Sequence, residues 1–315
     1  MNIINTLMGI TFASIAMASW AGERVNETLS AEGVTNINIE NLRGQIAIIG
    51  WDKNEVALEG ELDEQSKQLI FEKSGNRINV KVVVPRHLGN GKNRDGSDLT
   101  VNIPKHLSVD FSGVSTDVTL SNLLGSTEIK SVSGNINANK LQHRIELGTV
   151  SGNITSNNLS GKISLSSVSG NIEDKHSNGE VKLKVVSGNI YSQSNATEVV
   201  ANNISGNIEL ELAAVDDFSV TTVSGDLNAN LSLNDSGVAK LSSVSGDIDI
   251  EFQKDIQASF RMHANAGGDL INRLTNDQAA RAKYGPSSKL SFQVGNGSAT
   301  VRANTVSGEI KFSYQ

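Results

Sequence analysis

The chain has 315 residues, with 29 Gly, 3 Pro, no Cys, 4 % aromatics and a formal net charge of −7. Absence of Cys excludes a disulfide framework and a lipid-modified Cys anchor, and the acidic balance argues against nucleic acid, which demands a basic stripe. With 37 % hydrophobic residues, any core must come from Val, Ile and Leu, and an all-β chain of this length can form one unit.

Residues 1–21, MNIINTLMGITFASIAMASWA, carry no charged side chain. The apolar run is too short, and too broken by Asn, Thr and Ser, for a membrane span. Two small-x-small patterns follow, Ala16-Met17-Ala18 and Ser19-Trp20-Ala21, so a signal peptide cleaved after Ala18 or Ala21 is expected. The mature chain, 22–315, is then expected to be one domain outside the cytoplasm, in the periplasm, secreted or at the cell surface. It holds no later segment able to span a membrane as a helix.

INIENLRGQIAI (37–48) alternates apolar and polar residues and turns at Gly44. Residues 50–104 then read as longer strands (55–58, 68–71, 78–84 and 99–103) around the polar loop GNGKNRDGSD. A solenoid exposes its end unless something covers it, so this block is expected to be an N-terminal cap.

Residues 105–250 repeat one phrase: SVSGNI, TVSGNI, SVSGNI, VVSGNI, NISGNI, then VSGDL and VSGDI. Its glycines are Gly134, Gly152, Gly170, Gly188, Gly206, Gly225 and Gly246; Gly308 repeats the phrase near the end. The first four spacings are 18 residues, the next two 19 and 21. A fixed period of this size means stacked units. Five and three residues before each phrase Val stands an apolar pair, such as Ile145/Leu147, Ile163/Leu165 and Val181/Leu183. That alternation is a short strand. An apolar residue, such as Ile154, Ile172 or Ile190, follows two after the Gly. One unit cannot bury these side chains alone, whereas parallel coils about 4.8 Å apart can.

The phrase is therefore expected to be a corner. Its Gly would take a sharp turn and a positive φ, and the Val before and the Ile after would point inward. Asn135, Asn153, Asn171, Asn189 and Asn207 would either stack as an amide ladder or suit the turn. Thr116 takes the Gly slot one coil earlier, and FRMHANAGGDL fits later with Phe260/Met262 and Gly267. Residues 251–315 read as irregular C-terminal coils, with a helical or loop insertion at 270–286. The expected architecture is all-β: one elongated parallel β-helix or β-solenoid of about 18–21 residues per coil with a strand-rich N-terminal cap.

GQIAIIGWDKNEVALEG (44–60), DLTVNIPKHLSVDFSGVSTDV (98–118) and the reiterated VSGNI/VSGDI coils resemble a bacterial family over roughly residues 30–315. This is the putative-adhesin family of β-strand-repeat proteins of unknown function, relatives of the head GIN domain solenoids. The resemblance implies a parallel β-solenoid at the cell envelope and brings no catalytic residues to transfer.

Two residues, Asp226 and Asp247, are candidates for chemistry. Asp226 and Asp247 occupy, on adjacent coils, the slot held earlier by Asn, with Glu209, Glu211, Asp249 and Glu251 nearby. Two carboxylates about 5 Å apart could act as an acid/base pair or hold Ca²⁺, or could simply sit at solvated turns. The five His (His87, His106, His143, His176, His263) lack metal-ligand spacing, and no Gly-x-Ser-x-Gly elbow is present. Trp51 and Tyr191 are isolated. Outward slots hold Arg144, Glu146, Lys162, Glu180, Lys182, Lys184 and Glu198, a mixed charged face that keeps a long sheet soluble.

The expectation is a non-enzymatic extracytoplasmic solenoid, without cofactor, that binds a surface as an adhesin or serves as an envelope scaffold. Its partner would be an envelope protein or a polysaccharide surface. The alternative is a polysaccharide-active β-helix enzyme or a weak divalent-cation binder.

Overall fold

The computed structural model describes residues 22–85 and 96–315. Residues 1–21, where a signal peptide is expected, His87 and most of the polar loop lie outside the described residues. Among the described residues there is no helix, and 24 strands join in a single sheet. The chain is a parallel β-solenoid.

A regular coil shows how the period builds it. Ser160–Ser169 and Ile172–Lys175 are its two strands. Ile163 lies between Ile145 and Val181, Leu165 between Leu147 and Leu183, and Ile172 between Ile154 and Ile190, all in parallel register. These apolar side chains are at most 2 % exposed. Each buries roughly 1.5–3 kcal/mol of aliphatic surface, which offsets part of the ordering of about 18 residues at roughly 1–2 kcal/mol each.

The phrase Val does not point inward. Val132, Val150, Val168, Val223, Val244 and Val306 are 40–46 % exposed and Ile204 is 50 % exposed. The cause is strict alternation along the strand: with Ile145 and Leu147 inside, Thr149 is inside too and Val150 must face out. The buried slot belongs to the residue before the Val, namely Ser131, Thr149, Ser167, Val185, Asn203, Thr222, Ser243 and Thr305. The Ile after the Gly is buried as expected, because the corner resets the alternation.

The corner glycines answer chiefly to close approach. A Cβ on Gly152 would stand 2.0 Å from the Gly134 carbonyl oxygen, and one on Gly170 2.0 Å from that of Gly152. A positive φ is found at Gly188, Gly206 and Gly225 of this series. The second corner of the coil is left-handed without Gly: Asn122, Lys140, Asn158 and His176, one per coil, have φ of 56–59°.

Both ends of the stack are closed by antiparallel strands. At the N-terminal end, Arg77–Val83 and Ser97–Pro104 lie parallel on Asn36–Trp51, while Glu55–Glu61 and Gln68–Ser74 pair with them antiparallel. At the C-terminal end the order in space departs from the order in sequence. Ala299–Thr305 lies between Leu227–Ser243 and Ala258–Ala264, and Ser288–Val294 runs antiparallel to Ala258–Ala264. In the coil of Ala258–Ala264 the residue stacked on Gly308 is Gly268, one later than the expected Gly267, because that coil holds an extra residue at the corner. The stretch expected as a helical or loop insertion forms two short strands, Leu270–Asn272 and Ala280–Arg281, and turns. Phe252, Phe260, Phe292 and Phe312 fill this end, with ring centroids 4.6–5.7 Å apart.

Candidate interaction surface

The phrase residues T/S-V-S-G-N each have a position in the corner. The inward hydroxyl of Thr149 donates to the carbonyl of Gly134 at 3.2 Å, and that of Ser167 to the carbonyl of Gly152 at 3.0 Å. The Asn side chain reaches along the stack: Asn135 Oδ1 accepts from the backbone N–H of Asn153 at 3.0 Å, and Asn153 Oδ1 from that of Asn171 at 2.9 Å. Asn189, Asn207, Asp226, Asp247 and Glu309 continue the series as donors one coil on, at 2.8–3.1 Å. The contact is side-chain oxygen to backbone N–H, so Asp serves as well as Asn.

That geometry sets what Asp226 and Asp247 can do. Each uses Oδ1 to hold the next corner, as Asp117 does for Asn135. Among the described residues no group of three or more His, Asp or Glu is arranged to hold a metal. Glu209, Asn228, Asp249 and Lys311 form one outward row on the next facet, and Glu211, Asn230 and Glu251 the row beside it. The carboxylates there alternate with amides, and Asp249 is paired with Lys311 at 2.5 Å.

The described His residues fall at separate corners and strands. His143 meets Ser126 at 3.0 Å and His176 meets Asn157 at 3.4 Å. Trp51 donates its indole N–H to the Glu55 carbonyl at 2.8 Å with Lys53 over its ring, so it packs within the turn to Glu55–Glu61.

The facet that ends at the phrase Val is the distinctive surface. Ten large hydrophobic residues are exposed among the described residues, and eight of them stand in one row: Val114, Val132, Val150, Val168, Ile204, Val223, Val244 and Val306. Val186, half-buried, fills the gap between Val168 and Ile204. The registers Ser131↔Thr149, Ser169↔Ser187 and Ser205↔Ser224 keep the row straight. The patch totals on the order of 500 Å², comparable with the largest apolar patch of a typical monomer. Exposed Ser133, Ser151, Ser169, Ser187, Ser205, Ser224, Ser245 and Ser307 border it on one side. On the other side, two residues back, stand Ser112, Gly148, Ser166, Asn202, Thr221, Ser242 and Asn304, all short, together with the exposed Lys130 and Lys184.

Inside the coils lies one ionisable group that the repeat does not predict. Asp174 is fully buried and accepts from the hydroxyls of Ser156 and Ser177 at 2.6 Å and of Ser192 at 3.1 Å. Burial pushes its carboxyl above the ordinary carboxylate value, and the three hydroxyls oppose that shift. At the N-terminal end Arg43 binds Asp63 with two nitrogens, one at 2.8 Å, and holds the Asp63 carboxyl below its usual value.

A family model described as Toastrack DUF4097 matches residues 34–313. Solved structures similar to this chain include a putative cell adhesion protein from Clostridium sporogenes ATCC 15579, 13 % identical with a TM-score of 0.28, covering 93 % of this chain and 100 % of that one. Another is a putative adhesin from Bacteroides fragilis NCTC 9343, 15 % identical with a TM-score of 0.35, covering 92 % of this chain and 97 % of that one. No curated protein matches.

Proposed function

The chain belongs to the Toastrack DUF4097 family, and on that premise we propose that it is a non-catalytic, extracytoplasmic binding module whose contact surface is the valine facet. Residues 22–315 act as one unit, with the antiparallel ends as caps. The observation that carries this reading is the single row of exposed Val and Ile. Scattered exposed hydrophobics are ordinary, but a contiguous apolar patch bordered by polar residues marks an interaction site. The parallel ladders hold its side chains at fixed intervals, so a partner meets a surface that needs little ordering. The small-x-small pattern at 16–18 supports export.

The test is a photoreactive residue in place of Val168, with a second chain carrying it in place of Glu211 on the neighbouring facet. Each full-length chain is illuminated in intact cells. Adducts from the Val168 position, and none from the Glu211 position, are the expected result. Adducts from neither position, or equally from both, would remove the valine facet as the contact surface. Incubation with pectin-like and alginate-like polymers should release no new chain ends; release would reassign the chain as a polysaccharide-active enzyme.

A further inference from the structure

The valine facet carries a second pattern, four residues before each Val, where side chains also point outward. Read along the stack, this row is Asn38 on the coil before the first Val, then Asp110, Glu128, Glu146, Ser164, Lys182, Val200, Ser219, Lys240 and Arg302, and Arg261 on the coil after the last Val. Three carboxylates stand directly opposite one another at one end and three cations at the other. Like charges placed directly opposite in a ladder are destabilising. Lys130 pairs with Glu128, and Arg144 lies 3.7 Å from Glu146. Lys240, Arg302 and Arg261 are exposed and form no ion pair among the described residues.

We infer that the partner of this facet is a second copy of the same chain, packed face to face and antiparallel about a two-fold axis that passes between Val186 and Ile204. This inference rests on the reading of the facet as the contact surface. The axis runs parallel to the strands, so each row meets its own counterpart reversed. Asp110 then faces Arg261 of the partner subunit, Glu128 faces the partner's Arg302, and Glu146 faces the partner's Lys240. At the centre Ser164 meets the partner's Ser219, and Lys182 meets the partner's Val200. In the Val row Val168 meets the partner's Val223, and Val150 the partner's Val244. A row of near-identical residues at one spacing is self-complementary, as a two-fold interface requires. Ten coils at about 4.8 Å and three outward rows give a face of about 40 by 20 Å, or about 800 Å² per partner, the standard size for a stable complex. A second copy accounts for the apolar row and the unpaired cations together, whereas an apolar ligand would leave Lys240, Arg302 and Arg261 without a counter-charge.

The experiment is sedimentation of chain 22–315 over a range of concentration and salt, with four variants. The wild type should dimerise, more weakly as salt rises. Val168→Arg should give a monomer whose melting temperature equals that of the wild type at concentrations where the wild type is itself monomeric. Glu128→Arg and Arg302→Glu should each weaken the dimer about tenfold or more, and Glu128→Arg/Arg302→Glu should restore it to within about threefold, because the two positions face each other twice across the axis. A wild type that stays monomeric, a dimer indifferent to Val168→Arg, or a double variant no tighter than the singles would each overturn the pairing. The crosslinking test separates this inference from its premise. Adducts at twice the chain mass support both; adducts of another mass overturn the pairing and leave the contact surface standing; no adducts overturn both.

Discussion

Gly152→Ala should unravel a corner, and the size of the effect follows from the stack. The new methyl would stand 2.0 Å from the Gly134 oxygen and 2.7 Å from its carbonyl carbon, whereas real Cβ atoms essentially never come within 3.0 Å. The corner must therefore open by about 1 Å, against bonds that hold both of its sides. These are Thr149 to Gly134 at 3.2 Å, Ser167 to Gly152 at 3.0 Å, and Asn153 N–H to Asn135 at 3.0 Å. Three weakened hydrogen bonds at about 1 kcal/mol each give a loss of about 3 kcal/mol, or roughly 6–12 °C in melting temperature. Gly148→Ala is the matched control. Its methyl would meet the rotatable hydroxyl of Ser166 at 3.2 Å and the Ile129 oxygen at 3.9 Å, and alanine also restricts the unfolded chain, so its change should stay within about 0.5 kcal/mol. Denaturant unfolding gives the comparison, and amide exchange at 150–154 shows whether the loss is local, as a stack of semi-independent coils permits. A Gly152→Ala chain within about 0.5 kcal/mol of wild type, or equal losses in the two variants, would refute close approach as the reason for the Gly.

Asp174→Asn should stabilise the fold at neutral pH by about 1–2 kcal/mol, since the amide keeps the hydroxyl contacts without a buried charge. The sign follows from its raised carboxyl. The folded state holds that proton more firmly than the unfolded chain, so the stability it contributes is full below the ordinary value of 3.8 and is lost as pH rises through the raised value. The advantage of Asp174→Asn in melting temperature should therefore grow from about pH 3 to about pH 8; a constant difference would sink the idea. Arg43→Met should cost about 3–5 kcal/mol at neutral pH by stranding the Asp63 charge, and less once acid protonates it; thermal melts at two pH values test this. Lys140→Gly should gain up to about 1 kcal/mol, because Lys140 has a φ of 57° where Gly carries no penalty; a loss in a denaturant titration would contradict the strain.

The period, the apolar pairs and the buried Ile after each Gly were readable from the sequence because they repeat. Ile145 and Leu147 announce their neighbours Ile163 and Leu165, and the stack aligns them. The phrase Val departs from the inward expectation because the strand keeps its alternation up to the corner. Counting alternation on from Leu147 through Thr149 turns Val150 outward, and would have exposed the facet. The charge split along that facet was equally available, by reading the residue four before each Val down the repeats. Asp174 was hidden among loop-like residues, because inward slots at Ser156, Asp174 and Ser192 carry no apolar signature. The order at the C-terminal end could not be read at all. Nothing local in VRANT states that it fits between two earlier segments; only the contacts of Val301 with Ala239 and Phe260 do.

That last arrangement has a consequence for biogenesis. A chain emerging from its N-terminus can wind its regular coils as they appear, each resting on the one before. The far end cannot be finished in this way, since the segment from Ala258 has no parallel neighbour until Ala299–Thr305 arrives to slot beside it. Whole coils could be gained or lost in the middle over evolution, while Ala299–Thr305 acts as a latch that closes only once that segment has been made.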